Sequence, residues 1–142
     1  MSSNLILTAI RKTSMKKLLF ILFLFISTIS YSQQYYKAKT FSFTTIKVTE
    51  RWKPWSRPEV IDAMVEVDSI DNSITLYTNK VQIYTIYRTE KFTTDGETIY
   101  WYYCEDRDKI VCQIQLTLDK KGINKNEMEI RYADLKLKYE LK

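Results

Sequence analysis

From Tyr35 onward, apolar and polar residues alternate with period two, and the alternating stretches are rich in Tyr, Ile, Val and Thr. Those side chains fit a pleated, half-buried surface, so the pattern predicts strands. Eight are expected: Tyr35 to Val48, Val60 to Val67, Ser73 to Thr78, Val81 to Glu90, Thr98 to Glu105, Ile110 to Leu118, Glu127 to Tyr132 and Leu135 to Leu141. Turn residues punctuate them. Asp95-Gly96 is a hairpin dipeptide, Gly122 ends the run Asp119-Lys120-Lys121-Gly122, and Pro54 and Pro58 share the longest connection. No window carries a helical apolar stripe long enough to compete.

The short connections predict an antiparallel meander, and the hairpin registers can be tested against one another. Asn79-Lys80 as a two-residue turn pairs Leu76 with Ile83, while Asp95-Gly96 pairs Phe92 with Ile99 and Tyr87 with Cys104. Both registers gather Val65, Val67, Ile74, Leu76, Ile83, Tyr87, Tyr100, Tyr102, Ile114 and Leu116 on one face. That face is the expected core. Eight meandering strands can close on themselves and so remove their unpaired edges. The expected fold is therefore all-β, a small closed or nearly closed up-and-down barrel, with a two-layer β-sandwich as the alternative that the same strands satisfy.

Ahead of the strands lies a different pattern. Arg11, Lys12, Lys16 and Lys17 precede an unbroken apolar run from Leu18 to Ile26, and Ser27 to Ser32 then turn small and polar. This is the three-part plan of a secretory signal cleaved after Ser32. Nine apolar residues at 1.5 Å each reach about 14 Å, too short for a hydrocarbon core of roughly 30 Å. Met15-Lys16-Lys17 by itself begins such a signal, so residues 1–14 read as an upstream extension. The expectation is an exported protein, periplasmic or secreted, with no membrane span after cleavage and residues 33–142 as a single β domain.

Export changes the reading of charge and of cysteine. The whole chain carries 22 basic and 17 acidic residues, but the signal holds four of the basic ones, leaving 18 against 17. A nucleic-acid partner needs a basic stripe on one face. None is present, and Lys136 and Lys138 alternate with Leu135 and Leu137 as on a solvated strand. Cys104 and Cys112 face each other if the hairpin between them takes the register that sets Tyr102 against Ile114 and Tyr100 against Leu116. In an exported domain such a pair is expected to form a disulfide, and closing the nine-residue loop contributes about 2.5 kcal/mol.

Catalytic parts are scarce. The sequence has no histidine, which removes the commonest general base and the commonest zinc ligand together. The acidic residues concentrate in turns such as Asp68-Ser69-Ile70-Asp71 and Glu105-Asp106-Arg107-Asp108, where solvated turn chemistry accounts for them. No phosphate-cradling glycine loop, cofactor motif or metal-ligand spacing is found. The expectation is a non-enzyme without cofactor, with a carboxylate-based hydrolase of glycosidic bonds as the remaining enzymatic alternative.

Aromatic residues offer three candidate surfaces. Trp52 and Trp55 lie in the longest loop and serve either as a ligand-stacking lid or as a plug over the core. Tyr87, Tyr100 and Tyr102 are expected inside, lining a cavity or filling the barrel. Tyr84, Ile86, Phe92, Ile99, Trp101 and Tyr103 are expected on the opposite face, either covered by the segment containing Tyr35 and Tyr36 or forming a partner surface. The partner is accordingly a small apolar or carbohydrate ligand at the first two groups, or a cell-envelope protein docking on the third.

The Trp52 to Trp55 loop, Ile74-Thr75-Leu76-Tyr77, Gln82-Ile83-Tyr84-Thr85-Ile86, the cysteine pair and Tyr132-Ala133-Asp134 together resemble small secreted bacterial proteins of unknown function. The resemblance covers most of the chain after the signal and implies an exported all-β domain. Lipocalins and other calycins are similar in topology only, since Arg51 directly precedes Trp52 where their Gly-x-Trp signature would stand.

Overall fold

The computed structural model describes residues 15–21, 33–47, 49–122 and 126–142. Residues 15–21 are helical and lie in a unit separate from Gln34–Lys142. Among the described residues no helix is long and apolar enough to cross a membrane. The expected cleavage point after Ser32, the extension 1–14 and the end of the apolar run fall outside the described residues, as does Val48.

Eight antiparallel strands close into one up-and-down barrel in sequence order. They are β1 (Gln33–Thr45), β2 (Glu59–Asp68), β3 (Ser73–Tyr77), β4 (Gln82–Thr93), β5 (Glu97–Glu105), β6 (Val111–Asp119), β7 (Asn126–Arg131) and β8 (Leu135–Leu141). β8 pairs with β1, with Phe41 opposite Tyr139 and Phe43 opposite Leu137. Closure leaves no edge to template aggregation. The barrel is of the topology shared by calycins, and the sandwich alternative does not apply.

Alternation fills the interior. Val65 faces Leu76, Tyr102 faces Ile114, Ile114 faces Ile130, and Met128 faces Tyr139 across their strand pairs. Ile74, Leu76, Ile114, Leu116, Met128 and Ile130 are fully buried, and burying a side chain of that size contributes about 1.5–3 kcal/mol.

One strand departs from the expected pattern. The two-residue turn is not formed: residues 78–81 connect β3 to β4, and within them the Thr78 hydroxyl accepts from Lys80 N at 3.3 Å and donates to Lys80 O at 2.6 Å. Leu76 therefore pairs with Gln82, not Ile83. That one-residue slip reverses the faces of the first half of β4. Tyr84 and Ile86, expected on the outer surface, are core residues at 3% and 8% exposure. The Asp95-Gly96 hairpin keeps its expected register, Phe92 opposite Ile99. A β-bulge between Ile86 and Arg88 absorbs the difference, so Cys104 pairs with Ile86. Tyr87, expected inside, is the extra residue and is 59% exposed.

The long loop after β1 folds back along it. Lys53 N donates to Thr45 O at 3.0 Å, Ser56 N to Phe43 O at 2.7 Å, and Phe43 N to Ser56 Oγ at 2.8 Å. The loop thus behaves as a strap, burying Ser42 and Thr44. Its two indoles meet the lysines of β8: the Lys136 ammonium lies 4.1 Å from the Trp52 ring centre and that of Lys138 3.9 Å from Trp55. The alternating lysines are therefore cation–π partners.

Candidate functional site

The connections β1–β2, β3–β4, β5–β6 and β7–β8 share one end of the barrel, because alternate strands run in opposite directions. Three of them frame a solvent-open cavity of about 690 Å³. Its apolar wall is Val81, Ile83, Ile110, Leu135 and Leu137, and its polar groups include Gln82, Tyr84, Tyr132 and Asp106. A second cavity of about 420 Å³ opens beside it, lined by the start of β2, the β3–β4 turn, Phe41 and Tyr139. Gln82 lines both.

Asp106 organises the rim. Its Oδ1 accepts from Asp108 N at 2.9 Å and Ile110 N at 3.0 Å, and its Oδ2 accepts from the Tyr132 hydroxyl at 3.0 Å. Asp106 N donates to Ile110 O at 3.0 Å, and Lys109 completes the turn in the left-handed conformation, φ 64°. One carboxylate thereby ties the β5–β6 turn to the β7–β8 turn. Beside it, the Tyr84 hydroxyl donates to Gln82 Oε1 at 3.0 Å. Burial pushes the Tyr84 phenol up to about 12, and burial together with the neighbouring Tyr84 raises that of Tyr132 further. Both stay neutral hydrogen-bonding groups at ordinary pH.

Next to these tyrosines lie the two cysteines, which are cross-strand partners as the hairpin register predicts. Both are buried, at 0% and 4% exposure, and both are free thiols. The expected disulfide is not formed in this structure. Burial raises Cys104 to about 12 and Cys112 to about 11, and a hydrogen bond with Tyr132 holds Cys112 back. Among the described residues no cluster of His, Cys, Asp or Glu is arranged to hold a metal ion.

The sequence-predicted site residues stand in three separate parts of the barrel. Trp52 and Trp55 lie in the strap against β8. Tyr100 and Tyr102 are inside, stacked at 5.9 Å with their planes 10° apart, and belong to the packed core. Phe92, Ile99, Trp101 and Tyr103 do share the outer face: Phe92 meets Trp101 edge-on at 5.6 Å, and the Arg88 guanidinium sits 4.0 Å over Tyr103. Tyr35 and Tyr36 do not cover them, being part of the barrel stave β1. Asp106, Tyr132 and Gln82 carry the rim yet look like ordinary turn and strand residues in sequence. The one local signal is Thr78, whose hydroxyl favours a tight turn.

Fold and cavity together define a small up-and-down β-barrel with a closed, packed body and a cavity open to solvent among the β3–β4, β5–β6 and β7–β8 connections. Comparison with protein-family models, with curated proteins and with solved structures finds no match.

Proposed function

We propose that this is an exported, non-catalytic barrel that holds a small apolar molecule in its open end. The observation that carries the reading is the 690 Å³ cavity with Val81, Ile83, Leu135 and Leu137 on its wall. That volume and lining suit a small ligand, and barrel mouths are a common place for one. The non-catalytic reading rests on the polar groups: Asp106 and the Tyr132 proton are spent on holding two turns together. Export rests on the charged, apolar and small-residue plan of residues 11–32.

The fluorescent apolar probe N-phenyl-1-naphthylamine tests the site. Saturable enhancement is expected, weakened about tenfold by Val81→Lys or Leu135→Lys, since one lost aliphatic contact is worth about 1.5 kcal/mol. Absence of saturation, or indifference to both replacements, refutes the reading.

In an oxidising compartment Cys104 and Cys112 close as a disulfide. Directly opposed residues of an antiparallel pair have Cα atoms about 4.5–5.5 Å apart, within the range a disulfide spans.

A second reading draws on the outer face, where Phe92 is 49% exposed beside Trp101. There the barrel would dock on a cell-envelope protein, and loss of capture with Trp101→Ala but not with Val81→Lys would favour it.

A further inference from the structure

The second cavity differs from the first in chemistry. Its polar lining is Asp62, Thr78, Asn79 and Gln82, and among the described residues it includes no Lys or Arg. Thr78 is spent, because its hydroxyl both donates to and accepts from Lys80. The Asp62 side chain is 89% exposed, lies on the face of β2 opposite Ile61 and Ala63, and is paired with Lys37 at 3.8 Å, so it is a rim group and not an inner contact. The Asn79 amide is exposed on the turn. The amides left to meet a ligand are those of Gln82 and Asn79, which both donate and accept, so this cavity suits hydroxyl groups. An anionic group would find no Lys or Arg among the described lining residues to pair with it.

Gln82 joins the two cavities. Its Oε1 is held by the Tyr84 hydroxyl, which fixes the amide plane and leaves the two Nε2–H donors for a bound acceptor. On the far side the aliphatic wall continues through Ile83, Leu135 and Leu137. The rim there carries Lys80 and Arg107, but Asp106, Asp108 and Asp134 outnumber them. Neither cavity thus offers a net positive pocket for a carboxylate or phosphate.

We propose that the ligand is a neutral amphiphile: an acyl chain in the larger cavity, a hydroxylated head in the smaller, and the linking carbonyl on Gln82 Nε2. This rests on the mouth being a binding site, and it names the class of molecule bound there. Gln82 is a specificity residue, since it reads the junction between chain and head.

The test compares 1-monooctanoylglycerol with octanoate, which share a chain and differ in head, by isothermal titration calorimetry below their aggregation concentrations at pH 7.5. Monooctanoylglycerol is expected to bind at least tenfold more tightly than octanoate. Gln82→Leu should shrink that ratio to near one, and Asn79→Leu, on an exposed turn position, should shrink it without risk to the core. Circular dichroism checks that both variants fold. A ratio near one in the unaltered protein, or a ratio that survives both replacements, overturns the inference while saturable N-phenyl-1-naphthylamine binding leaves the site itself standing. If neither the probe nor either amphiphile binds, the site reading falls and the inference with it.

Discussion

Raising the pH should unfold the reduced protein, and the thiols set the scale. In the folded chain Cys104 is raised from 9.0 to about 12 and Cys112 from 9.0 to about 11, while Tyr84 is raised from 10.0 to about 12. Each group holds its proton more tightly folded than unfolded, so its contribution is intact below pH 9 and is lost as pH rises towards 12. A tenfold difference in proton affinity is worth about 1.4 kcal/mol. At pH 11 the two thiols together account for about 5 kcal/mol and Tyr84 for about 1 kcal/mol. The two thiols face each other and Cys112 supplies part of the rise at Cys104, so their shares overlap and about 3–6 kcal/mol is left. A small domain has about 5–15 kcal/mol in total, so the loss brings it close to unfolding. Urea titrations followed by tryptophan emission at pH 8.0, 9.5 and 11.0, with reductant present, measure it directly. The oxidised protein has no thiols to ionise and should keep most of the thiol share. Reduced protein whose unfolding free energy at pH 11 lies within about 1 kcal/mol of its pH 8 value would refute the burial argument.

Two further outcomes test the loops around the mouth. In a double-mutant cycle of Trp55→Ala and Lys138→Ala, the ring and ammonium, 3.9 Å apart, should show a coupling of about 0.5–1 kcal/mol; no measurable coupling would mean the strap is held by its backbone bonds alone. Lys109→Gly should stabilise the barrel by roughly 1 kcal/mol, because Lys109 occupies a left-handed conformation at φ 64° that glycine adopts without steric cost. An unchanged or lowered urea midpoint would contradict the turn geometry.

Most of the fold is legible in sequence because the period-two pattern states which residues share a face. β5 through β8 follow that rule without exception, from Tyr100 opposite Leu116 to Met128 opposite Tyr139. β4 is where legibility fails, for a physical reason. Its two ends are governed by connections that set registers one residue apart: the β3–β4 connection through residues 78–81 pairs Leu76 with Gln82, and Asp95-Gly96 fixes the β4–β5 hairpin. Alternation read along β4 alone cannot register that conflict, since Tyr84, Ile86 and Tyr87 are all apolar enough for either face. The bulge at Tyr87 resolves it.

The same conflict builds the mouth. Had Leu76 paired with Ile83, Tyr84 would point outward and Asp106 would meet Tyr132 without the neighbouring phenol that completes the rim. The slip turns Gln82 and Tyr84 towards the open end, where the hydroxyl orients the amide. Candidate ligand contacts therefore come from residues that the register of β4 turns inward, not from the tryptophans that stand out in the sequence. Those tryptophans are recruited by Lys136 and Lys138 into a strap, a role invisible until β1 and β8 close the barrel and bring residues 52–55 beside residues 136–138. Which residues stand at the mouth follows from which connection sets the register of β4, so a substitution that moved Leu76 from Gln82 to Ile83 would turn Gln82 and Tyr84 outward.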